Sequence, residues 1–217
     1  MGTGTVESVR EQEQLGDDSG PAVRIVGVCG SLRATSATKR AVSVALDGTS
    51  PHAASTGLIE LRNYQLPFCG QMAEDEYPPD VSRLRQELRD AHGIILGTPE
   101  YHGSLSGALK NMLDLMGAEE FEGKIVGLVA VAGGHGGATN SLNTMRMIGR
   151  NLHSWVLPQE VSIADSAQAF NADGSATDPA IEKRLLNIGA QVVRLASLQE
   201  RIREDDFMAM WEGLPTW

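Results

Sequence analysis

A three-layer α/β fold, with one parallel sheet covered by helices on both faces, is what this sequence predicts, and three observations predict it. Short apolar runs rich in Val and Ile recur along the chain, with the length and branching of strands buried on both sides. Stretches with apolar residues at helical spacing separate them, and that alternation implies parallel strands joined by right-handed crossovers. The 217 residues, 41% of them hydrophobic, suffice for one good core.

Residues 1–21 are polar, glycine-rich and acidic without periodic apolar positions, so a disordered tail is expected ahead of a single domain over 22–199. Val23–Cys29 is the first strand; it breaks at Gly30, and Ser36 opens a helix to Leu46. Ser55–Leu61 is the second strand. The connection that follows, Arg62–Pro79, has a length usually associated with function or mobility. Pro79 starts a helix whose buried face is Val81, Leu84, Leu88 and Ala91. The third strand begins at Gly93 and is expected to stop at Pro99. A helix opens near Leu105 and runs to Met116 with Leu105, Ala108, Leu109, Met112 and Leu113 in one stripe. Lys124–Ala132 is the fourth strand and ends in a glycine loop, 133–137. A helix over Thr139–Leu152 leads to the fifth strand, Trp155–Leu157, extended past Pro158 to Ile163. The last helix runs from Pro179 to about Leu198 behind Asp178, with Ile181, Leu185, Ile188, Val192 and Leu195 on one side. Residues 200–217 form an extension.

Composition excludes several classes. No apolar run approaches the roughly 20 residues that span a bilayer, and the N-terminus lacks a signal-peptide pattern. A cytoplasmic protein without membrane contacts is therefore expected. The net charge of −10 is concentrated at the ends: residues 1–20 carry −4, residues 200–217 carry −3, and the body only −3. An acidic chain without a basic stripe is not expected to bind nucleic acid. Cys29 and Cys69, the two cysteines, stand forty positions apart and predict neither a metal site nor a disulfide framework. Cys29 closes a buried strand and reads as a small core residue.

The segment Gly30–Thr38 carries the first chemical signal. A strand, a tight turn and a helix N-terminus together make an anion site, because first-turn amides lack partners and the macrodipole is positive there. Ser31, Ser36 and Thr38 add hydroxyls, and Arg33 adds a permanent cation able to grip two phosphate oxygens. The chain has neither a G-x-x-x-x-G-K-[ST] loop nor a G-x-G-x-x-G after Gly30, which argues against both common nucleotide turns. Alone, these residues also fit a capping serine beside a surface arginine.

A second segment decides. Pro99-Glu-Tyr-His-Gly-Ser-Leu-Ser-Gly-Ala-Leu-Lys-Asn-Met-Leu-Asp114 follows the third strand. Together the two segments resemble the NADPH-dependent FMN reductase family. Its marks are a G-S-x-R-x-x-S turn and a P-E-Y-[NH]-x-S-x-x-G-x-L-K-N-x-[IL]-D segment, matched here at Gly30, Ser31, Arg33 and Ser36, and at Pro99, Glu100, Tyr101, Ser104, Gly107, Leu109, Lys110, Asn111 and Asp114. The likeness extends through Gly133–Gly137 and Trp155–Ile163 and covers residues 23–199.

The resemblance implies a flavodoxin-like sheet of five parallel strands in the order 2-1-3-4-5, a class already known to place FMN at the switch point between its first and third strands. It implies FMN as cofactor and NADPH or NADH as co-substrate. The phosphate would meet Ser31, Arg33, Ser36, Ala37 and Thr38. The ribityl chain and ring would meet Pro99, Glu100, Tyr101, His102 and Ser104. Gly133, Gly134, His135 and Gly136 would face the ring's polar edge with backbone amides. Hydride would pass from the nicotinamide to FMN and on to free flavin, a quinone or a similar small acceptor in a ping-pong cycle, with no side chain required as acid or base. No catalytic residue is therefore nominated. Loop histidines such as His102 and His135 are more often solvated or structural, Tyr101 suits packing as well as stacking, and Lys110 and Asp114 are spaced to pair on a helix. Relatives imply a homodimer or homotetramer. Two rivals remain: a flavodoxin-type electron carrier, which usually shows a T-x-T-G-x-T loop and acidic rim, and a flavin-binding partner or pathway enzyme with a repurposed pocket. The aromatic stretch at 204–217 motivates the latter and is expected to pack on a neighbouring subunit or over the pocket.

Overall fold

The computed structural model describes residues 23–50 and 55–204; the acidic tail at 1–21 and the extension beyond 204 lie outside the described residues. Its strands are β1 (Arg24–Cys29), β2 (Ser55–Glu60), β3 (Gly93–Tyr101), β4 (Ser104–Leu105), β5 (Ile125–Val131) and β6 (Trp155–Ile163). Its helices are α1 (Ala37–Asp47), α2 (Pro79–Arg89), α3 (Gly107–Asp114), α4 (Ala118–Phe121), α5 (Thr139–Asn151) and α6 (Pro179–Glu204).

Five parallel strands lie in the order β2-β1-β3-β5-β6, the flavodoxin-like arrangement. The sheet has six strands instead of the expected five because two-residue β4 folds back antiparallel on the end of β3. β3 itself does not stop at Pro99. It continues to Tyr101, with Pro99 paired to Val131 on β5, two rungs beyond Gly97, where β1 ends. Pro99 therefore costs the sheet no bond to β1. The other strand proline, Pro158, sits on edge strand β6, where a register shift between Val126 and Leu128 absorbs it. α6 runs on past Leu198 to Glu204.

Alternation along the strands splits the core in two. Val26, Val28, Ile94, Leu96, Val126 and Leu128 point to the face covered by α2, α3 and α5, where Phe121 and Met145 are fully buried. Ile25, Ile95 and Val129 point to the face covered by α1 and α6. Burying each such side chain stabilises the fold by about 1.5–3 kcal/mol. Ser36 starts α1 as its N-cap, with extended backbone and its side chain accepting from the Lys39 amide at 3.2 Å. α1 leans on α6 so closely that a methyl on Gly189 would overlap the Ala45 carbonyl, and one on Gly48 would overlap the Leu186 carbonyl. The N-terminus of α1 thereby sits at a fixed height beside the end of β1. Among the described residues no helix is long and apolar enough to cross a membrane.

Candidate functional site

Three loops leave the carboxyl ends of β1, β3 and β5, which are neighbours in the sheet. The first, Gly30–Ser36, is anchored at its root. The Gly30 amide donates to the Gly97 carbonyl at 2.8 Å, and the Ser106 hydroxyl donates to the Gly30 carbonyl at 2.6 Å. A side chain at Gly30 would press on Leu109 and the Gly97 carbonyl, so glycine is required there. Ser31, Ser36 and Thr38 are buried, Ala37 is half-buried, and residues 32–35 are exposed. The Ser31 hydroxyl accepts from the Arg33 amide at 3.4 Å. As the first two residues of α1, Ala37 and Thr38 have amides without an intrahelical acceptor.

Three cations flank this helix start, and two are engaged. Lys39 pairs with Glu60 at 2.8 Å, and Arg40 donates to the Asn171 carbonyl at 3.0 Å. Among the described residues Arg33 meets no carboxylate; its guanidinium carbon stands 5.9 Å from the centroid of the Tyr101 ring. Arg33 is thus left for an anion, while touching the second loop.

That second loop is a two-residue hairpin. Tyr101 pairs with Ser104, and His102 and Gly103 both have positive φ, 51° and 77°. This is the turn type that favours Asn-Gly. We expect His102→Asn to raise stability by about 0.5–1 kcal/mol, read from the urea midpoint, because asparagine tolerates the left-handed conformation better. Pro99 is buried, Ser104 half-buried, and Tyr101 and His102 are exposed. Glu100 is engaged by the structure itself. Its carboxylate accepts from the Ser141 amide in the first turn of α5 at 3.0 Å, supplying the cap that Ala138 has no side chain to give.

The third loop separates two kinds of glycine. Gly137 has φ 71°, and a side chain there would meet the Ser162 hydroxyl, so the fold needs it. Gly133, Gly134 and Gly136 are exposed, have no positive φ, and would point a side chain into open space. Nothing within the protein requires glycine at these three. His135, between them, is 96% exposed, with Nδ1 2.7 Å from the Asp165 carboxylate.

Sequence reasoning missed Ser106, Asp165 and the purpose of Asn111. Ser106 ties the first two loops together: besides Gly30 it caps α3 by accepting from the Leu109 amide at 3.1 Å, and its own amide donates to the Thr98 hydroxyl at 2.9 Å. A capping serine before the helix was the available signal, and opening the helix near Leu105 hid it. Asn111 accepts from the Cys69 amide and donates to the Pro67 carbonyl, holding exposed Phe68 in place. Lys110 and Asp114 pair at 2.6 Å, as their spacing suggested. Cys29 is buried, and burial pushes its thiol up, so it is no nucleophile. Among the described residues no group of His, Cys, Asp and Glu is disposed to hold a metal ion. A 590 Å³ cleft between α1 and the turn at 173–175 touches the first loop only at Ala34, Thr35 and Ser36 and includes no residue of the glycine loop.

The carboxyl ends of three neighbouring strands thus carry a helix N-terminus beside Arg33, an exposed hairpin and a strip of exposed glycine backbone. That set of groups suits a ligand with an anionic end and a flat end. The chain is 29% identical over 189 residues to the NADPH-dependent FMN reductase ArsH of Shigella flexneri, covering 85% of this chain and 72% of that one. It is 43% identical over 104 residues to an NADPH azoreductase of Bacillus sp. (strain OY1-2), covering 48% of this chain and 58% of that one. Among solved structures, FerB, the flavoenzyme NAD(P)H:(acceptor) oxidoreductase of Paracoccus denitrificans, superposes with a TM-score of 0.64 at 22% identity, over 81% of this chain and 97% of that one, a likeness of fold. The family model described as NADPH-dependent FMN reductase matches residues 23–168, and the chain belongs to that family.

Proposed function

We propose that this chain is an FMN-dependent NAD(P)H oxidoreductase that reduces a small acceptor, such as free flavin, a quinone or an azo compound, in a ping-pong cycle. The observation that carries the reading is the strip Gly133, Gly134 and Gly136, where neither backbone nor packing requires glycine. Backbone at these positions is open to close approach by a group from outside the chain.

Arg33, the hydroxyls of Ser31, Ser36 and Thr38, and the amides of Ala37 and Thr38 would hold the phosphate. Tyr101 and Ser104 would flank the middle of the cofactor, with Glu100 acting through α5. Backbone amides of the glycine loop would face the ring's polar edge, where negative charge gathers on reduction. When bound, FMN supplies hydride acceptance from the nicotinamide and hydride donation to the acceptor. Exposure of the hairpin and the glycine loop would let the two substrates use one ring face in turn. A homodimer or homotetramer belongs to the same reading, supported by the exposed Leu195, Leu198 and Ile202 on the last turns of α6. Cytoplasmic action is supported by two free cysteines, one of them exposed.

The test is the absorbance spectrum of the purified protein, followed by anaerobic titration with NADPH and NADH. Bleaching of a bound flavin is expected. FMN bound with no NAD(P)H oxidation above background would leave the electron-carrier reading in its place. Arg33→Ala is expected to weaken FMN binding about 10-fold by fluorescence titration, the effect of losing one charged hydrogen-bonding partner at an exposed site. Deletion of 205–217 is expected to lower the solution mass or alter the kinetics, measured by light scattering and steady-state assay.

A further inference from the structure

Resting on that reading, we infer that His135 is the group that hands a proton to the acceptor, and that Asp165 is its positioning residue. The pair joins the loop after β5 to the turn after β6. His135 Nδ1 lies 2.7 and 2.8 Å from the two Asp165 carboxylate oxygens. With Nδ1 engaged and the side chain 96% exposed, Nε2 is the ring nitrogen left open to an incoming group.

The side-chain pair exceeds what the fold needs. The two segments are already latched by backbone bonds, from the Asp165 amide to the Gly134 carbonyl at 3.3 Å and from the Ser166 amide to the Ala132 carbonyl at 3.0 Å. Asp165 holds φ 47°, a left-handed conformation that Asp tolerates better than most residues and that fixes where its carboxylate leaves the turn. The other titratable groups of these loops are engaged, buried or unsteered: Glu100 accepts from the Ser141 amide, Tyr101 has Arg33 over its ring, the Cys29 thiol is buried, and His102 has no hydrogen-bonding partner among the described residues to steer its ring. His135 is flanked by Gly134 and Gly136, so an acceptor can approach its Nε2 without meeting a side chain.

A quinone receives a hydride that originates from NAD(P)H, two electrons and one proton, and is left with a negative oxygen. The Nε2–H bond of the His135 imidazolium breaks as an O–H bond forms at that oxygen, and bulk water returns the proton to the exposed ring. NAD(P)⁺ is the oxidised product and the hydroquinone the reduced one. Ferricyanide takes electrons and no proton, so it bypasses this residue.

The experiment compares wild type, His135→Gln and Asp165→Gly, each loaded with FMN, reduced anaerobically by NADPH and reoxidised in a stopped-flow instrument by benzoquinone or ferricyanide. Glycine at 165 accepts the positive φ while removing the carboxylate. The ratio of quinone to ferricyanide rates is expected to fall about 100-fold in His135→Gln, the usual worth of a general acid, and several-fold in Asp165→Gly. Long-range ¹H–¹⁵N spectra of the apoprotein are expected to show neutral His135 as the Nδ1–H tautomer, and a mixture in Asp165→Gly. An unchanged ratio in His135→Gln, or an Nε2–H tautomer in wild type, overturns the assignment while leaving the oxidoreductase reading intact. Failure of NADPH to bleach the wild-type protein overturns both.

Discussion

Gly134→Val is expected to melt within about 2 °C of wild type while holding FMN about 100-fold more weakly. The first half follows from the environment: a side chain at 134 meets nothing within 4 Å and the backbone is not in the left-handed region. Surface substitutions of that kind change stability by about 0.5 kcal/mol or less. The second half follows from the proposed function, which lays the cofactor's flat end over that space, since overfilling a close contact costs about 1–3 kcal/mol and 1.4 kcal/mol is a factor of ten. Gly137→Val is the internal contrast. It forces a β-branched residue to φ 71° against the Ser162 hydroxyl, so the fold should suffer first. The measurements are a thermal melt of the apoprotein and a fluorescence titration with FMN. Wild-type affinity in a normally folded Gly134→Val protein would remove the strongest support for the site.

How much of this was legible in the sequence depends on which contacts lie close along the chain. Three of the five parallel strands, β1, β3 and β5, were readable because they are buried on both faces and their apolar runs need no partner to identify them. The strand-turn-helix at Gly30–Thr38 was readable for the same local reason: strand end, serine cap and helix follow one another within it. The end of β3 was misplaced because a proline inside an apolar run argues for termination. Only the sheet shows that Pro99 stands beyond the reach of β1.

What escaped were side chains whose partners are remote in sequence. Glu100 reaches Ser141, Ser106 reaches Gly30, and Asp165 reaches His135, so no local pattern could announce them. The division of labour within Gly133–Gly137 was equally hidden. Its four glycines look alike in sequence, whereas the structure separates Gly137, whose positive φ demands glycine, from three at which an added side chain would meet nothing.

Gly189→Ala is expected to destabilise the protein by about 1–3 kcal/mol and lower its melting temperature by about 3–10 °C, although helix propensity alone would favour alanine by about 1 kcal/mol. The reason is the crossing of α1 and α6. The added methyl would overlap the Ala45 carbonyl, a backbone atom that cannot rotate aside as a side chain could, so one helix must move. Gly48 meets the Leu186 carbonyl in the same crossing, leaving no slack on the other side. Moving α1 away from α6 also carries its N-terminus, with Ser36, Ala37 and Thr38, out of line with Arg33, so FMN affinity should fall several-fold along with stability. Paired measurements, a urea titration and an FMN titration on the same preparation, read both effects. A stabilised Gly189→Ala protein would mean that the helices stand further apart than described and that α1 is not held from behind. Lost stability with unchanged FMN affinity would mean that the phosphate turn is set by its own bonds to Gly97 and Ser106, independent of the helix that follows it.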